Sequence, residues 1–305
     1  MVSWFVVLMA TGVLAPLILL ARARPNGLGA WMLNGSAALA VLVFTVVAGP
    51  WVFLSLHLRL VALMAFAASA GVSFHRRTRS PTEQPASRRD RARFLATAVV
   101  LVAFGTLTMA ALLGHRTPVG TTDVQVPFKA GTFAVLQGGG SPILNLFHSA
   151  AGERFAVDLV RVNVFGNRAR GLAPTSLGAY ESFGVPVHSP CEGVVEHAVG
   201  GLPDNPPGTA DRHQPAGNHI VPRCETLSLL LAHLRQGSAV ARAGERVRTG
   251  QMIGEVGNSG NTLEPHLHVS TIAVDQAAGR QGRAIPLTFG GRFLALNDTM
   301  RLRSP

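Results

Sequence analysis

Apolar residues crowd the first third of the chain and then thin into short runs separated by glycine, proline and asparagine. Four stretches of that first third, at 2–20, 31–48, 51–74 and 94–113, approach the ~20 apolar residues a membrane-spanning helix requires. Beyond residue 114 the pattern changes. "RFAVDLVRV", "GVVEHAV", "NHIVPRC", "LSLLLAHL", "QMIGEVG", "HLHVSTIAV" and "RAIPLTF" are short alternating or wholly apolar runs, and no long stretch has a helical period. Turn-bounded runs of this kind predict a mainly antiparallel β domain. The expected organisation is therefore a four-helix transmembrane region at 1–114, a linker at 115–137 leading into a first strand, and a β domain at 138–305. One segment, "GGLPDNPPGTADRHQPAGN" (200–218), is too polar and proline-rich for a strand, and a long loop in a compact domain is usually functional or disordered.

Charge orients the apolar third. The first run has no positive region before it, and Arg22 and Arg24 follow it, so it does not read as a cleaved signal peptide. The loop "HRRTRSPTEQPASRRDRAR" holds seven arginines, whereas the connection at Gly49-Pro50 has no charge. Two basic loops separated by two spans lie on one side, and the positive-inside rule makes that side cytoplasmic. Everything after residue 113 is then expected on the outer side of the membrane. Arg59, with His57, falls inside the third apolar stretch, either as a functional buried charge or as a side chain reaching back to the headgroups. The net charge of +11 is carried mostly by this region: ten arginines stand there against Glu83 and Asp90. It gives no argument for nucleic-acid binding, and no interleaved aromatic platform supports one.

The two cysteines, Cys191 and Cys224, have no C-x-x-C spacing, which excludes a zinc knuckle or a thioredoxin-like motif. An outside location permits a disulfide between them.

The candidate chemistry centres on "GNSGNTLEPHLHVS". Residues two apart on a strand share a face, so His266 and His268 project together while Leu267 and Val269 point to the core. Taken alone, the pair is equally the wet face of a strand. His233 ends the apolar run "LSLLLAHL", and Asp158 stands between Val157 and Leu159, where a buried carboxylate requires a partner. His148 lies ten residues upstream. Two imidazoles and one carboxylate would leave zinc an open position for water, the plan of a catalytic site.

The runs "GVPVHSPCEGVV", "AGNHIV", "LLLAHLRQGS" and "GERVRTGQMIGEVGNSGNTLEPHLHVS" together resemble the lysostaphin-type zinc metallopeptidases, which cut peptide cross-links in bacterial cell walls. The similarity spans about 138–288. It implies a zinc metallopeptidase domain at 138–305, with His148, Asp158 and His268 as ligands to one zinc ion and His233 and His266 as the catalytic pair. It further implies a groove walled partly by the 200–218 loop and lined by His219 and Asn258, with Gly257, Asn258, Ser259 and Gly260 forming the turn that presents the "HLH" strand. No H-E-x-x-H motif is present, so histidine must serve as the base. Two departures stand out: Arg154 occupies the position four before Asp158 where the family usually has histidine, and Phe147 precedes His148 where tyrosine is common. Tyr180, the only tyrosine, reads as a packing residue, and His188, His197 and His213 as surface or loop residues.

The resemblance implies a membrane-anchored zinc endopeptidase whose partners are peptidoglycan peptides and the lipid bilayer. The alternative is a non-catalytic peptidoglycan-binding regulator of other wall hydrolases, since some relatives have lost their ligands. A separate role for the four spans in sensing or docking rests on Arg59 alone. The bond cleaved, protein partners and oligomeric state are not readable from the sequence.

Overall fold

The computed structural model describes residues 2–23, 27–79, 87–225, 227–272, 274–275, 280–281 and 284–303. Arg24 and the middle of the second basic loop, with Glu83, lie outside the described residues. The chain divides into two compact units, Met1–Leu112 and Leu113–Pro305.

The first unit contains four helices long and apolar enough to cross a membrane: α1 (Val2–Arg22), α2 (Gly27–Ala48), α3 (Leu58–Arg79) and α4 (Arg88–Leu113). The third begins later than the apolar stretch predicts. Pro50 lacks the N–H that would continue α2, and residues Trp51–Phe53 form a short 3-10 turn instead. The Trp51 indole donates to the carbonyls of Thr45 and Val46, at 3.0 and 3.1 Å, which folds that turn back on the end of α2. Arg59 therefore lies in the first turn of α3, at the very start of that candidate span rather than in its middle, and its Nε donates to the Leu56 carbonyl at 3.1 Å. This placement fits a headgroup-level side chain. Arg76, near the end of α3, donates to the Ala21 carbonyl at 2.6 Å, so the basic ends of α1 and α3 meet.

The second unit is a β domain. Its strands are β1 (Thr122–Val124), β2 (Gly131–Gln137), β3 (Val157–Val162), β4 (Pro186–His188), β5 (Gly193–Val199), β6 (Asn218–Cys224), β7 (Leu227–Leu234) and β8 (Arg246–Val247). The short β9 (Met252–Glu255), the central β10 (Leu267–Ile272) and the brief β11 (Val274–Asp275), β12 (Arg280–Gln281), β13 (Leu287–Phe289), β14 (Arg292–Phe293) and β15 (Thr299–Leu302) complete it. Eight strands form one sheet in the order β15-β2-β3-β10-β7-β6-β5-β8, with every neighbouring pair antiparallel. Among the described residues, only β1 and β13 pair in parallel. The expected linker at 115–137 contains β1 and β2, and β2 is an integral strand of the sheet. Its run "GTFAVLQ" buries Phe133, Ala134 and Val135, so that segment belongs to the core.

The core lies against the face of the sheet carrying Leu159, Ile220, Leu229, Leu231, Leu267 and Val269, all fully buried. The site grows from the other face of β10, where His268 and Ser270 alternate with those residues. Strand β4 also corrects an expectation: His188 is buried in its pairing with β9, while His197 and His213 are exposed as expected.

Cys191 and Cys224 form a disulfide across a separation of 33 residues, tying the turn before β5 to the end of β6. Closing a loop of this length stabilises a domain by roughly 2–4 kcal/mol. Reduction, or Cys224→Ser, is expected to lower the urea midpoint of the β domain, as followed by its fluorescence. An unchanged midpoint under reductant would contradict this contribution.

Candidate active site

Strand register creates the centre of the site. His268 on β10 lies directly opposite Asp158 on β3 and Ala232 on β7. Cross-strand partners on one face are close enough for side chains to meet, and His268 Nδ1 lies 2.8 Å from Asp158 Oδ1. Both residues are buried. The other ring nitrogen of His268, Nε2, lies 3.0 Å from the Glu153 carboxylate. The Phe147 ring closes on the same imidazole edge to face, at 5.2 Å between centroids.

His266 precedes the strand and reaches the same carboxylate from the side, its Nε2 3.5 Å from Asp158 Oδ1. Its Nδ1 lies 2.9 Å from the Glu264 carbonyl and 3.2 Å from Thr262 Oγ1. A carbonyl only accepts, so Nδ1 carries the proton and Nε2 is the nitrogen open for proton exchange.

His233 arrives by a different device. Regular alternation along β7 would send it to the face opposite Ala232, the neighbour of His268. Instead His233 adopts φ +64°, beside a register irregularity between β6 and β7. A bulge of this kind re-aims one side chain, and a left-handed non-glycine residue costs about 1–2 kcal/mol. The result is a His233 ring 4.8 Å from that of His266 and 5.8 Å from that of His268. Its Nδ1 lies 2.9 Å from the Ser259 carbonyl, so here too Nε2 remains for chemistry.

The 257–264 turn is fastened to the long 200–218 loop. Asp204 accepts from the Asn258 N–H at 2.6 Å, Asn258 donates to the Asn205 carbonyl at 2.8 Å, and Asn218 N–H donates to Ser259 Oγ at 2.9 Å. Gly260 (φ +83°) and Gly217 (φ +58°) back onto each other so closely that a Cβ on Gly217 would collide with Ser259, and one on Gly260 with the Gly217 backbone. Only glycine satisfies both the space and the left-handed backbone. His219 is half-buried, with Nδ1 2.8 Å from the Gly217 carbonyl, and Asn258 is fully buried. Beneath the turn, Arg168 and Glu264 form a buried ion pair at 2.7 Å, so the residue whose carbonyl fixes His266 is itself anchored by its side chain.

His148 stands apart from this cluster. Its Nε2 lies 3.4 Å from Arg154 Nε, while its buried Nδ1 has no hydrogen-bond partner.

Residues 178–279 match peptidase family M23. The match covers about a third of the chain. The matched span contains His233, His266 and His268 and stops short of His148 and Asp158. Among solved structures the M23 domain is similar to the catalytic domain of the antimicrobial peptidase lysostaphin from Staphylococcus simulans, at 20% identity over 37% of this chain and 84% of that chain, TM-score 0.24. A zinc-containing peptidase from Vibrio cholerae matches at 18% identity over 38% of this chain and 46% of its own, TM-score 0.23. The lysostaphin chain solved in solution matches at 18% identity, with 41% of this chain and 40% of that chain covered, TM-score 0.26. The chain thus spans less than half the length of the last two. No curated protein matches it.

The buried carboxylate and imidazoles raise the question of whether these residues fit a zinc ion. Among the described residues, no group of three or more His, Cys, Asp and Glu side chains is arranged to hold a metal ion. The donors fit in kind. Asp158 and His268 offer a carboxylate oxygen and an imidazole nitrogen to one buried point, and the unpartnered His148 Nδ1 is a further nitrogen of the type zinc takes.

Electrostatics in the site follow from this crowding. Burial alone would raise the Asp158 pKa, but His266 and His268 outweigh it and hold the carboxyl well below its ordinary range. Burial opposes a charged His268, yet the hydrogen bonds it donates to Asp158 and Glu153 push its pKa up to about 10. His266 is also raised, with Asp158 overcoming burial, whereas burial and the neighbouring histidines push His233 well down. Glu153, Asn145 and the Arg168–Glu264 pair were not singled out by sequence reasoning. The carboxylate next to Arg154, at the departure from the usual family pattern, was the available signal for Glu153.

A raised folded-state pKa stabilises the fold fully below the unfolded value and loses that contribution as pH rises through the folded value. In chelator-treated protein, His268 therefore contributes stability near pH 6 that fades as the pH approaches about 10. Urea midpoints of chelated wild type should fall over this alkaline range, and His268→Gln should flatten the dependence. Parallel profiles for the two proteins would contradict the assignment.

Proposed function

We propose that this protein is a membrane-anchored zinc endopeptidase that hydrolyses peptide bonds of bacterial peptidoglycan on the extracytoplasmic side. The observation that carries this reading is the convergence of Asp158, His268, His266 and His233 on one buried point of the β domain, three of them within the span that matches family M23. Lysostaphin-like neighbours support peptidoglycan peptides as the substrate class. The four apolar helices and the basic ends of α1 and α3 support an outward-facing β domain, and the Cys191–Cys224 disulfide agrees with an oxidising compartment. The proposed domains are the transmembrane region at 1–114 and the peptidase at 138–305, with the intervening chain contributing β1 and β2 to the latter.

Asp158, His268 and His148 are the residues that would hold zinc, with His148 turning from Arg154. Zinc held there would supply Lewis acidity toward the scissile carbonyl and water. The chain's own residues do the rest. His266 and His233 each donate from Nδ1 to a backbone carbonyl, which fixes their rings 4.8 Å apart between centroids and leaves Nε2 of each outside those two bonds. Hydrolysis requires one proton to leave the attacking water and one to reach the departing amine, and two adjacent imidazoles can carry both transfers. His219 and Asn258 belong to the groove wall made by the 200–218 loop, where the peptide would lie.

Full-length protein in detergent is expected to release peptides from purified sacculi, and a chelator should abolish this. His268→Ala should lose zinc and turnover together, while His266→Ala should keep zinc and lose at least about 100-fold in turnover. Equal loss of metal by both variants would contradict the division of roles, and chelator-insensitive or absent cleavage would contradict the activity. For sidedness, a periplasm-dependent reporter fused after Pro305 should be active, and one inserted between α3 and α4 inactive. The reverse pattern would overturn the orientation.

A further inference from the structure

Both nitrogens of His268 are engaged, and by different carboxylates. Nδ1 faces Asp158 at 2.8 Å and Nε2 faces Glu153 at 3.0 Å. The two ring nitrogens point away from each other across the imidazole. A cation seated between Asp158 and Nδ1 therefore lies on the far side of the ring from Glu153. The geometry points to Glu153 as a positioning residue for His268: it accepts the Nε2 proton and so presents Nδ1 as the bare donor on the Asp158 side. This inference rests on the reading of His268 as a zinc ligand.

The surroundings of Glu153 are built to deliver its carboxylate. Asn145, fully buried, accepts from the Phe147 N–H at 3.0 Å and donates to the Ala156 carbonyl at 3.0 Å, which closes the 145–156 loop on itself. Glu153 N–H donates to the Ala150 carbonyl at 3.1 Å, and its own carbonyl accepts from Ala156 at 2.9 Å. The backbone of Glu153 is thus held at both ends, directly before Arg154, which contacts His148. The same loop places the Phe147 ring against His268, so the imidazole is fixed by a carboxylate at Nε2 and by packing. A carboxylate on the outer nitrogen of a metal-bound histidine fixes its tautomer and raises its basicity, and its loss typically weakens metal binding 10–100-fold.

The test measures zinc affinity of full-length protein in detergent, by competition with a chromophoric chelator, for wild type, Glu153→Ala, Glu153→Gln and His268→Ala. Thermal unfolding is recorded alongside. The Glu153 side chain is 33% exposed, so truncating it opens no core. The expected result is one zinc per chain for both Glu153 variants, with affinity weakened 10–100-fold in Glu153→Ala and less in Glu153→Gln, which retains an acceptor oxygen. Should Glu153→Ala misfold, the affinity of Glu153→Gln against wild type decides, and wild-type affinity there together with wild-type turnover counts against the inference. Wild-type affinity in folded Glu153→Ala overturns it. So does complete loss of zinc matching His268→Ala, which would make Glu153 a ligand. If wild type itself binds no zinc, the functional reading falls and this inference with it, whereas a zinc-binding wild type with an unaffected Glu153→Ala removes only the inference.

Discussion

A carboxylate buried inside a β-sheet is the constraint around which the second unit is arranged. Asp158 has Val157 and Leu159 on either side and is almost sealed from water. Withdrawing an ion from water costs several kcal/mol even after relaxation, so such a group persists only with compensating partners. The antiparallel register of β3 and β10 supplies the first one directly, by placing His268 across from it. His266 adds a second contact from the end of the same strand. Glu153 then brings a further negative charge to the far side of His268, so two carboxylates flank one imidazole. An environment of that kind favours positive charge between them, as a proton on the ring or as a cation held by the same atoms.

The remaining features hold the polar cluster without letting it swell. His233 leaves the strand alternation through a left-handed residue and enters the cluster, where burial favours its neutral form. The 200–218 loop is bound to the 257–264 turn by Asp204, Asn205 and Asn218, with Gly217 and Gly260 in contact where no side chain fits. Below, Arg168 and Glu264 neutralise each other under the turn that aims His266. Removing one member of such a buried pair leaves an uncompensated charge, so this pair couples the stability of the turn to the position of the histidine.

Much of this was legible in the chain. The runs "GVVEHAV", "NHIVPRC" and "LSLLLAHL" coincide with β5, β6 and β7 because alternation and bounding turn residues agree there. Asp158 in an apolar strand announced its need for partners, and the spacing of His266 and His268 placed them on one face. The helix starts were harder: apolar content continues through Trp51, but Pro50 and the indole hydrogen bonds fold that stretch into a turn. Strand β2 lay in a segment expected as linker, since its apolar run is short and glycine precedes it. Glu153, Asn145 and the Arg168–Glu264 pair act through contacts set by the fold, with Glu153 and His268 separated by 115 residues. No local pattern encodes such pairings. The burial of His188 has a similar origin, because that of the short β4 depends on its distant partner β9.

In the proposed metal centre, Asp158 and His268 Nδ1 face each other as the two inner donors. Anomalous diffraction at the zinc edge from zinc-loaded protein tests it most directly. The account predicts one zinc between these two side chains, about 2.0–2.2 Å from each, with His268 Nε2 still on Glu153. Zinc bound elsewhere, or a loaded protein in which Asp158 and His268 keep their direct 2.8 Å hydrogen bond, would contradict it.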